Sequence, residues 1–181
     1  MNKLLLVVGL LLAAHISVAQ YSEQPITQES SWTDRVFTGG GLGFGFGDVD
    51  WVNVSPVIGY RVTDRLAGGM SLTYRYSNYK RVTPALKTND YGGSLFARYL
   101  VRAPIFLQME YEYLNFEFPI LAGETQRLDF NSFLGGGGIA QPVGRNAAFI
   151  ITAMYNFSYA NSAESPYASP WIIRGGITVG F

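Results

Sequence analysis

The sequence lacks cysteine, and its histidine is confined to the N-terminus. There is no cysteine among the 181 residues, which excludes a disulfide framework and a thiolate metal site. The single histidine is His15, so the rest of the chain has no imidazole for proton transfer near neutral pH. We therefore expect no enzyme activity, no catalytic residues, no metal and no cofactor. Chemistry based on carboxylates alone remains open, although no motif supports it.

Charge and long apolar runs are also scarce. Charged side chains make up 14% of the chain, against about 25% in typical soluble domains, whereas aromatic side chains reach 15%. Beyond the N-terminal segment, no apolar stretch approaches the ~18 residues that indicate a transmembrane helix. Thirteen basic residues balance thirteen acidic ones, which argues against nucleic acid as a partner. This composition favours a membrane protein built from β-strands.

The N-terminus has the pattern of a secretory signal peptide. Lys3 is followed by an apolar run from Leu4 to Ala14 and then by Ser17-Val18-Ala19, which gives the charge, apolar core and small-residue cleavage site of such a signal. The run is too short to cross a bilayer, which takes about 20 residues. We predict a signal peptide over 1–19, rather than a buried strand or helix, and an N-terminal periplasmic segment over 20–34.

The remaining chain alternates between two kinds of side chain. In "LAGGMSLTYRYSN", Leu66–Asn78, most even positions carry Leu, Met or Tyr, whereas odd positions carry Gly, Ala, Ser, Thr or Arg. Alternation with a period of two predicts strands with two different faces. The segments that we predict as strands are 35–47, 51–62, 66–77, 90–100, 104–116, 127–140, 147–159 and 170–181. The sixth alternates only partly, so we expect a bulge or irregular pairing there.

Eight such segments predict an all-β fold, an eight-stranded antiparallel up-and-down transmembrane β-barrel over 35–181. Repeated segments of about ten residues with alternating hydrophobicity are the sequence signature of these barrels. Most of the connections also alternate between short turns and longer loops, as they do in outer-membrane barrels. The longer, polar or proline-bearing loops are 78–87, 117–126 and 160–169, and we expect them on the extracellular side.

A soluble eight-stranded barrel such as a lipocalin would alternate as well, and side-chain size decides between the two. The apolar face carries Tyr, Phe, Trp, Leu, Met and Ile and no charge in these strands. The interior of an eight-stranded barrel is only just wide enough for side chains to fill. We therefore place the apolar face toward lipid and the small and polar residues in the lumen. Tyrosines near the strand ends are expected to form the aromatic girdles of a membrane barrel.

The first strand contains the glycine-rich stretch "TGGGLGFGFG", Thr38–Gly47. Its alternating glycines predict a row that faces the lumen and leaves space for larger groups from other walls: Gly39, Gly41, Gly43, Gly45 and Gly47. A phosphate-binding loop is disfavoured, because Phe44 and Phe46 alternate regularly with the glycines and no Gly-Lys-Ser/Thr follows. The later run "GGGGIA" is disfavoured as a dinucleotide motif because Gln141-Pro142 follows instead of a helix.

The inward positions also collect charge. The predicted lumen charge network consists of Arg75, Arg98, Arg174, Glu110 and Glu112. Counting residues through the hairpins brings Arg75 to the height of Glu112 and sets Arg174 opposite Asn156. Unpaired buried charges cost several kcal/mol, so we predict a paired network that plugs a polar lumen. A gate or narrow conductive path is the first alternative, and an acid/base pair is the second.

The last residues, "PWIIRGGITVGF", resemble the C-terminal assembly signal of bacterial outer-membrane barrels, in which apolar residues at alternate positions precede a terminal aromatic. The matching residues are Trp171, Ile173, Ile177, Val179 and Phe181. After the signal peptide, the chain resembles the small eight-stranded barrels of the OmpX and OmpA transmembrane-domain type. The resemblance implies an outer-membrane location, recognition by the barrel-assembly machinery, and contact with outer-membrane lipids and lipopolysaccharide.

We expect a monomeric, non-enzymatic barrel with a structural or surface-interaction role that its extracellular loops carry. The basic patch Lys80, Arg81 and Lys87 could meet anionic lipopolysaccharide headgroups. A narrow channel for ions or small solutes is one alternative. An interaction subunit of an envelope complex is another, and it would require an exposed apolar or strand-edge surface.

Overall fold

A computed structural model describes residues 31–45, 49–80, 86–119, 125–160, 165–167 and 169–180. The predicted signal peptide and the residues Gly47, Arg81 and Phe181 lie outside these ranges. A short 3-10 helix, Trp32–Arg35, precedes eight strands. They are β1 (Val36–Gly45), β2 (Val49–Arg61), β3 (Leu66–Tyr79), β4 (Leu86–Arg102), β5 (Ile105–Pro119), β6 (Thr125–Pro142), β7 (Ala147–Asn156) and β8 (Trp171–Val179).

The strands form a closed barrel in sequence order, in which each strand is antiparallel to its neighbours. This confirms the predicted eight-stranded up-and-down fold. Within the described ranges, no helix is long and apolar enough to cross a membrane. The strands differ in length: β4, β5 and β6 have 17, 15 and 18 residues, whereas β7, β8 and β1 have 10, 9 and 10. One flank of the barrel is therefore much taller than the other.

β7 ends three residues earlier than the sequence predicts because a turn forms at its end. The side-chain oxygen of Asn156 accepts a hydrogen bond from the backbone N–H of Ser158 at 2.9 Å. The backbone carbonyl of Asn156 accepts another from the N–H of Tyr159 at 3.3 Å. These bonds turn the chain away from the sheet, and the connection to β8 is correspondingly longer.

The prediction of irregular pairing in the sixth strand is wrong. β6 pairs with β5 in one unbroken register from Thr125 to Ile139. The register shift lies instead between Leu100 and Arg102, where β4 meets β5. The alternation of β6 is weak because Ser132 and Leu134 share the lumen face with glycines, and both side chains are fully buried. Even positions of β6 therefore face inward.

The two faces of the sheet have opposite polarity, as the sequence predicts. Leu42 and Ile173 on the outer surface are 77% and 79% exposed, whereas Glu110 and Glu112 in the lumen are only 4% and 3% exposed. Other exposed apolar side chains on the exterior include Phe44, Leu72, Leu95, Leu107, Met109, Tyr111, Trp171 and Ile177. The buried charged groups lie inside the barrel, and most of the large apolar groups lie outside.

The lumen is less polar than the sequence predicts. Phe37, Phe96 and Phe106 point inward and are buried, and the ring centres of Phe37 and Phe96 lie 6.5 Å apart. Glycines on neighbouring strands make room for these rings. A Cβ atom on Gly69 would lie 2.6 Å from Cζ of Phe96 and 2.5 Å from the carbonyl oxygen of Ile58, so no larger residue fits without movement.

Candidate functional site in the barrel lumen

An ion-pair cluster crosses the lumen between β8 and β5. Arg174 on β8 places Nη1 2.7 Å from Oε1 of Glu110 and Nη2 2.8 Å from Oε1 of Glu112. The two carboxylates lie two residues apart on β5 and therefore share its inward face. Because β6 and β7 separate the two strands in the sheet, this contact spans the lumen itself. It fixes the distance between opposite walls of the barrel.

Tyr167, in the connection between β7 and β8, caps this cluster. Its hydroxyl donates a hydrogen bond to Glu112 and lies 3.4 Å from Nη2 of Arg174. Burial raises the pKa of Tyr167, so the phenol is protonated and acts as a donor at neutral pH. Sequence analysis missed this residue because loop residues carry no alternating pattern that assigns them to a face.

Gln108 links Arg98 to the same cluster. Nε and Nη2 of Arg98 donate to Oε1 of Gln108 at 3.1 and 2.9 Å. Nε2 of Gln108 in turn donates to Oε2 of Glu110 at 3.0 Å. Four of the five predicted charged residues thus belong to one hydrogen-bonded chain. The sequence signal for the role of Gln108 was its inward position on β5, two residues before Glu110.

Arg75 belongs to a separate pair and does not join Glu112, so the hairpin count that set the two residues at one height is wrong. β3 and β4 pair in a register that sets Arg75 directly opposite Asp90, and Nη2 of Arg75 lies 2.7 Å from Oδ2 of Asp90. The buried Asp90 also accepts a hydrogen bond from the backbone N–H of Glu117 at 3.0 Å. Arg174 likewise lies opposite Thr152 rather than Asn156, because the early end of β7 changes the hairpin count.

Aromatic rings and Arg98 close the inner end of the lumen. Cζ of Arg98 lies 4.4 Å from the ring centre of Phe106 and 5.4 Å from that of Phe96. These distances are typical of cation–π contacts. Phe37 packs beside them and is 2% exposed. We call these four residues, Phe37, Phe96, Arg98 and Phe106, the inner seal.

A cavity of about 540 Å³ lies above the inner seal. On one side it is bounded by Arg75, Asp90 and the Arg174 cluster, and on the other by the glycines of β1. The predicted glycines Gly39, Gly41 and Gly43 all line it, and Gly45 continues β1. The charge network therefore does not fill the lumen. It forms one wall of an open space.

The other predicted residues lie at the periphery. In the basic patch, Nζ of Lys80 lies 2.7 Å from Oδ2 of Asp50, and Lys87 in β4 lies opposite Asn78. The described residues of the predicted assembly signal all lie on the outer face of β8 and are exposed: Trp171, Ile173, Ile177 and Val179. In the part of the chain that the structure describes, no group of three or more His, Cys, Asp or Glu side chains could hold a metal ion.

Neither a family model nor a curated protein matches the sequence. Among solved structures, the chain is similar to the N-terminal β-barrel domain of Pseudomonas aeruginosa OprF. The identity is 15%, the match covers 81% of this chain and 96% of that one, and the TM-score is 0.45. The similarity concerns the fold alone.

Proposed function

We propose that the protein is a monomeric, non-enzymatic β-barrel of the bacterial outer membrane, closed to ion flow at its inner end. The polarity of the two faces carries this proposal. In water, exposed Leu42 and Ile173 together with buried Glu110 and Glu112 would invert the usual arrangement of apolar and charged groups. In lipid, the same arrangement is favourable, and a closed barrel also pairs its strand edges.

Tyrosines at the outer rim support the membrane placement. The hydroxyl of Tyr113 donates to Oδ1 of Asp129 at 2.7 Å, and that of Tyr74 donates to Oδ1 of Asn89 at 2.8 Å. Both rings lie on the exterior and are more than 40% exposed. Rings that face the apolar band while their hydroxyls meet polar groups are typical of the membrane–water interface.

The inner seal supports a barrel that does not conduct. Its rings are buried, and Arg98 is held over two of them and by Gln108. In the charge network, Arg174 is shared between two carboxylates, so these groups stabilise one another. The roles left for such a barrel are structural or depend on its extracellular loops. Insertion through the barrel-assembly machinery, directed by the β8 residues, belongs to the same proposal.

Conductance in a planar bilayer tests the closed lumen. We expect the refolded native protein to be silent. The Phe96→Ala/Phe106→Ala variant should conduct, because it removes two rings of the inner seal. Leu95→Ala is the matched control, since Leu95 faces lipid beside Phe96, and this variant should stay silent. Steady conductance by the native protein would refute the closed barrel and favour a narrow channel.

The basic patch offers a test of surface interaction. We propose that Lys80, Arg81 and Lys87 contact the anionic headgroups of lipopolysaccharide. Replacing all three with Gln should weaken the binding of vesicle-embedded protein to lipopolysaccharide, and the weakening should be greatest at low salt because such contacts are screened. Arg102→Gln, at the opposite end of β4, is the control. Equal binding by the triple variant and the native protein would end this part of the proposal.

A further inference from the structure

We propose that Arg65 and Arg102, at the inner end of the barrel, bind the headgroup of an anionic phospholipid in the inner leaflet of the outer membrane. We call these two residues the basic corner. The inference rests on the membrane location proposed above, and it adds a lipid class and the residues that select it. Three observations carry it: the excess of arginine at the inner end, the register shift in β4, and the exposed tyrosines near that shift.

The inner end of the barrel is rich in arginine. The described parts of its turns and adjoining strand ends are 31–36, 60–67, 99–105 and 140–147. They contain two carboxylates, Asp34 and Asp64, and five cations, all of which are arginine: Arg35, Arg61, Arg65, Arg102 and Arg145. Basic side chains at a membrane surface attract anionic lipid headgroups. The described residues of the inner end therefore favour an anionic partner.

Ion pairing differs between the two ends of the barrel. Three cations at the outer end lie 2.7, 2.7 and 3.4 Å from carboxylates, in the pairs Arg75–Asp90, Lys80–Asp50 and Arg127–Glu117. At the inner end, no ion pair joins Arg65, Arg102 or Arg145 to a carboxylate of the described ranges. These three arginines are also exposed. Their charge is therefore available to an external anion.

The register shift at the end of β4 turns Arg102 to the outer face. β4 keeps one register with β5 as far as Leu100, which lies opposite the inward-pointing Phe106. Continuing that register would put Arg102 on the lumen side, because it follows Leu100 by two residues. Arg102 instead lies opposite Ile105, which is exposed on the outer face. Opposite residues share a face of the sheet, and bulges commonly redirect a side chain in this way.

A backbone hydrogen bond brings Arg65 to the same corner. The N–H of Leu100 donates to the carbonyl oxygen of Arg65 at 2.7 Å, which holds the turn between β2 and β3 against the end of β4. Asp64 is the one carboxylate of this turn, so two arginines leave the corner with a net positive charge. Guanidinium groups match the oxygens of a phosphate in planar, bidentate contacts. A phosphate ester is therefore the anion that suits this corner.

Exposed tyrosines place the corner at the level of lipid headgroups. Tyr60 and Tyr99 lie on the outer face near the inner ends of β2 and β4, and both are exposed. Tyrosines in such positions mark the membrane–water interface. Arg102 lies three residues beyond Tyr99, away from the apolar band, and its neighbours Val101 and Ile105 are exposed. These apolar neighbours can contact a lipid chain, so they favour a phospholipid over a soluble anion.

Quenching by brominated lipids tests the site with the full-length barrel in vesicles. The chain has three tryptophans, and Trp32→Phe/Trp51→Phe/Trp171→Phe/Tyr99→Trp leaves one, three residues from Arg102. The probes are phosphatidylglycerol, which is anionic, and phosphatidylcholine, which has no net charge, both brominated on their acyl chains. We expect phosphatidylglycerol to bind beside this tryptophan about fivefold more tightly, the effect of one arginine near an anionic lipid. Added salt should reduce this preference.

Removing the charges of the basic corner should remove the preference. Arg65→Gln and Arg102→Gln should each lower it about twofold or more, and the two changes together should bring it to about one. Arg102→Lys should restore it in part, because the charge remains without the planar fork. Arg145→Gln is the matched control, since Arg145 is an exposed arginine in another inner turn, and it should keep the preference. Equal effects of Arg145→Gln and Arg102→Gln would refute a localised site.

The membrane location and the lipid assignment fail in different ways in this assay. If neither brominated lipid quenches the tryptophan at position 99, the membrane location itself is wrong. If both lipids quench it equally at low salt, the membrane location stands and the assignment of an anionic lipid is wrong.

Glycerol 3-phosphate separates a lipid from a soluble phosphate ester. It carries the phosphate without acyl chains, so it should change the preference for phosphatidylglycerol no more than sodium chloride does at the same ionic strength. If glycerol 3-phosphate abolishes the preference where sodium chloride does not, the corner binds a soluble phosphate and the lipid assignment is wrong.

Discussion

Replacing Arg174 with methionine should be among the most damaging single changes in this barrel. Arg174 pairs with Glu110 and Glu112 at 2.7 and 2.8 Å, and both carboxylates are almost completely buried. Methionine retains much of the aliphatic volume and removes the charge, so two carboxylates lose their counter-ion. Removing one partner of a buried pair costs about 3–5 kcal/mol. Because the side chain of Arg174 is itself 35% exposed, we expect a loss in the free energy of unfolding at the lower end of that range.

Urea unfolding in lipid vesicles, followed by tryptophan fluorescence, measures this loss. Ile173→Met is the control, because Ile173 is adjacent and exposed on the outer face, and its replacement should change stability by less than about 1 kcal/mol. The triple variant Arg174→Met/Glu110→Gln/Glu112→Gln removes all three charges and should recover a substantial part of the loss. A loss below about 1 kcal/mol for Arg174→Met would refute the view that this cluster holds the two walls together.

Two further predictions concern the packing and the cap of the lumen. Gly69→Ala should cost about 1–3 kcal/mol in the free energy of unfolding, since its Cβ would meet Phe96 and the Ile58 carbonyl. Gly144→Ala is the control and should be nearly neutral, because Gly144 has open space around it. Equal losses for the two variants would contradict the packing argument. Tyr167→Phe should cost about 1 kcal/mol through the lost hydrogen bond to Glu112. Because burial raises the pKa of Tyr167, the folded state favours the protonated phenol. This contribution should be constant below the unfolded pKa of about 10 and disappear as pH rises further; a loss of the difference already near pH 7 would refute it.

The strands and their faces could be predicted because they depend on local pattern. A period of two assigns each residue of a regular strand to one face, and large apolar groups cannot all enter a narrow lumen. The sequence therefore predicted that Leu42 points out and Glu110 points in. The alternation was least informative in β6, where consecutive glycines do not show which positions face the lumen.

The contacts across the lumen could not be predicted in the same way. Hairpin counting compares adjacent strands, whereas Arg174 reaches β5 across the interior, past two intervening strands. Hairpin counting also set the wrong residue opposite Arg174, because β7 ends early at the turn at Asn156 and this turn depends on a side-chain hydrogen bond. The inner seal had a usable signal, since Phe96 and Phe106 occupy inward positions near the inner ends of their strands. The pairing of β1 with β8 joins the first and last strands, where no hairpin constrains the register.

The unequal strand lengths have a consequence for the surrounding lipid. At about 3.3 Å per residue and a tilt of about 45°, the 9- and 10-residue strands β8, β1 and β7 rise only about 21–23 Å. The hydrocarbon core of a bilayer is about 30 Å thick. In the membrane location proposed above, lipids on this flank would have to compress, or the barrel would have to lean toward its taller side, and each ångström of mismatch costs a fraction of a kcal/mol. The proposed location therefore implies that the bilayer is thinnest where β1 and β8 meet and that the protein favours the thinner regions of its membrane.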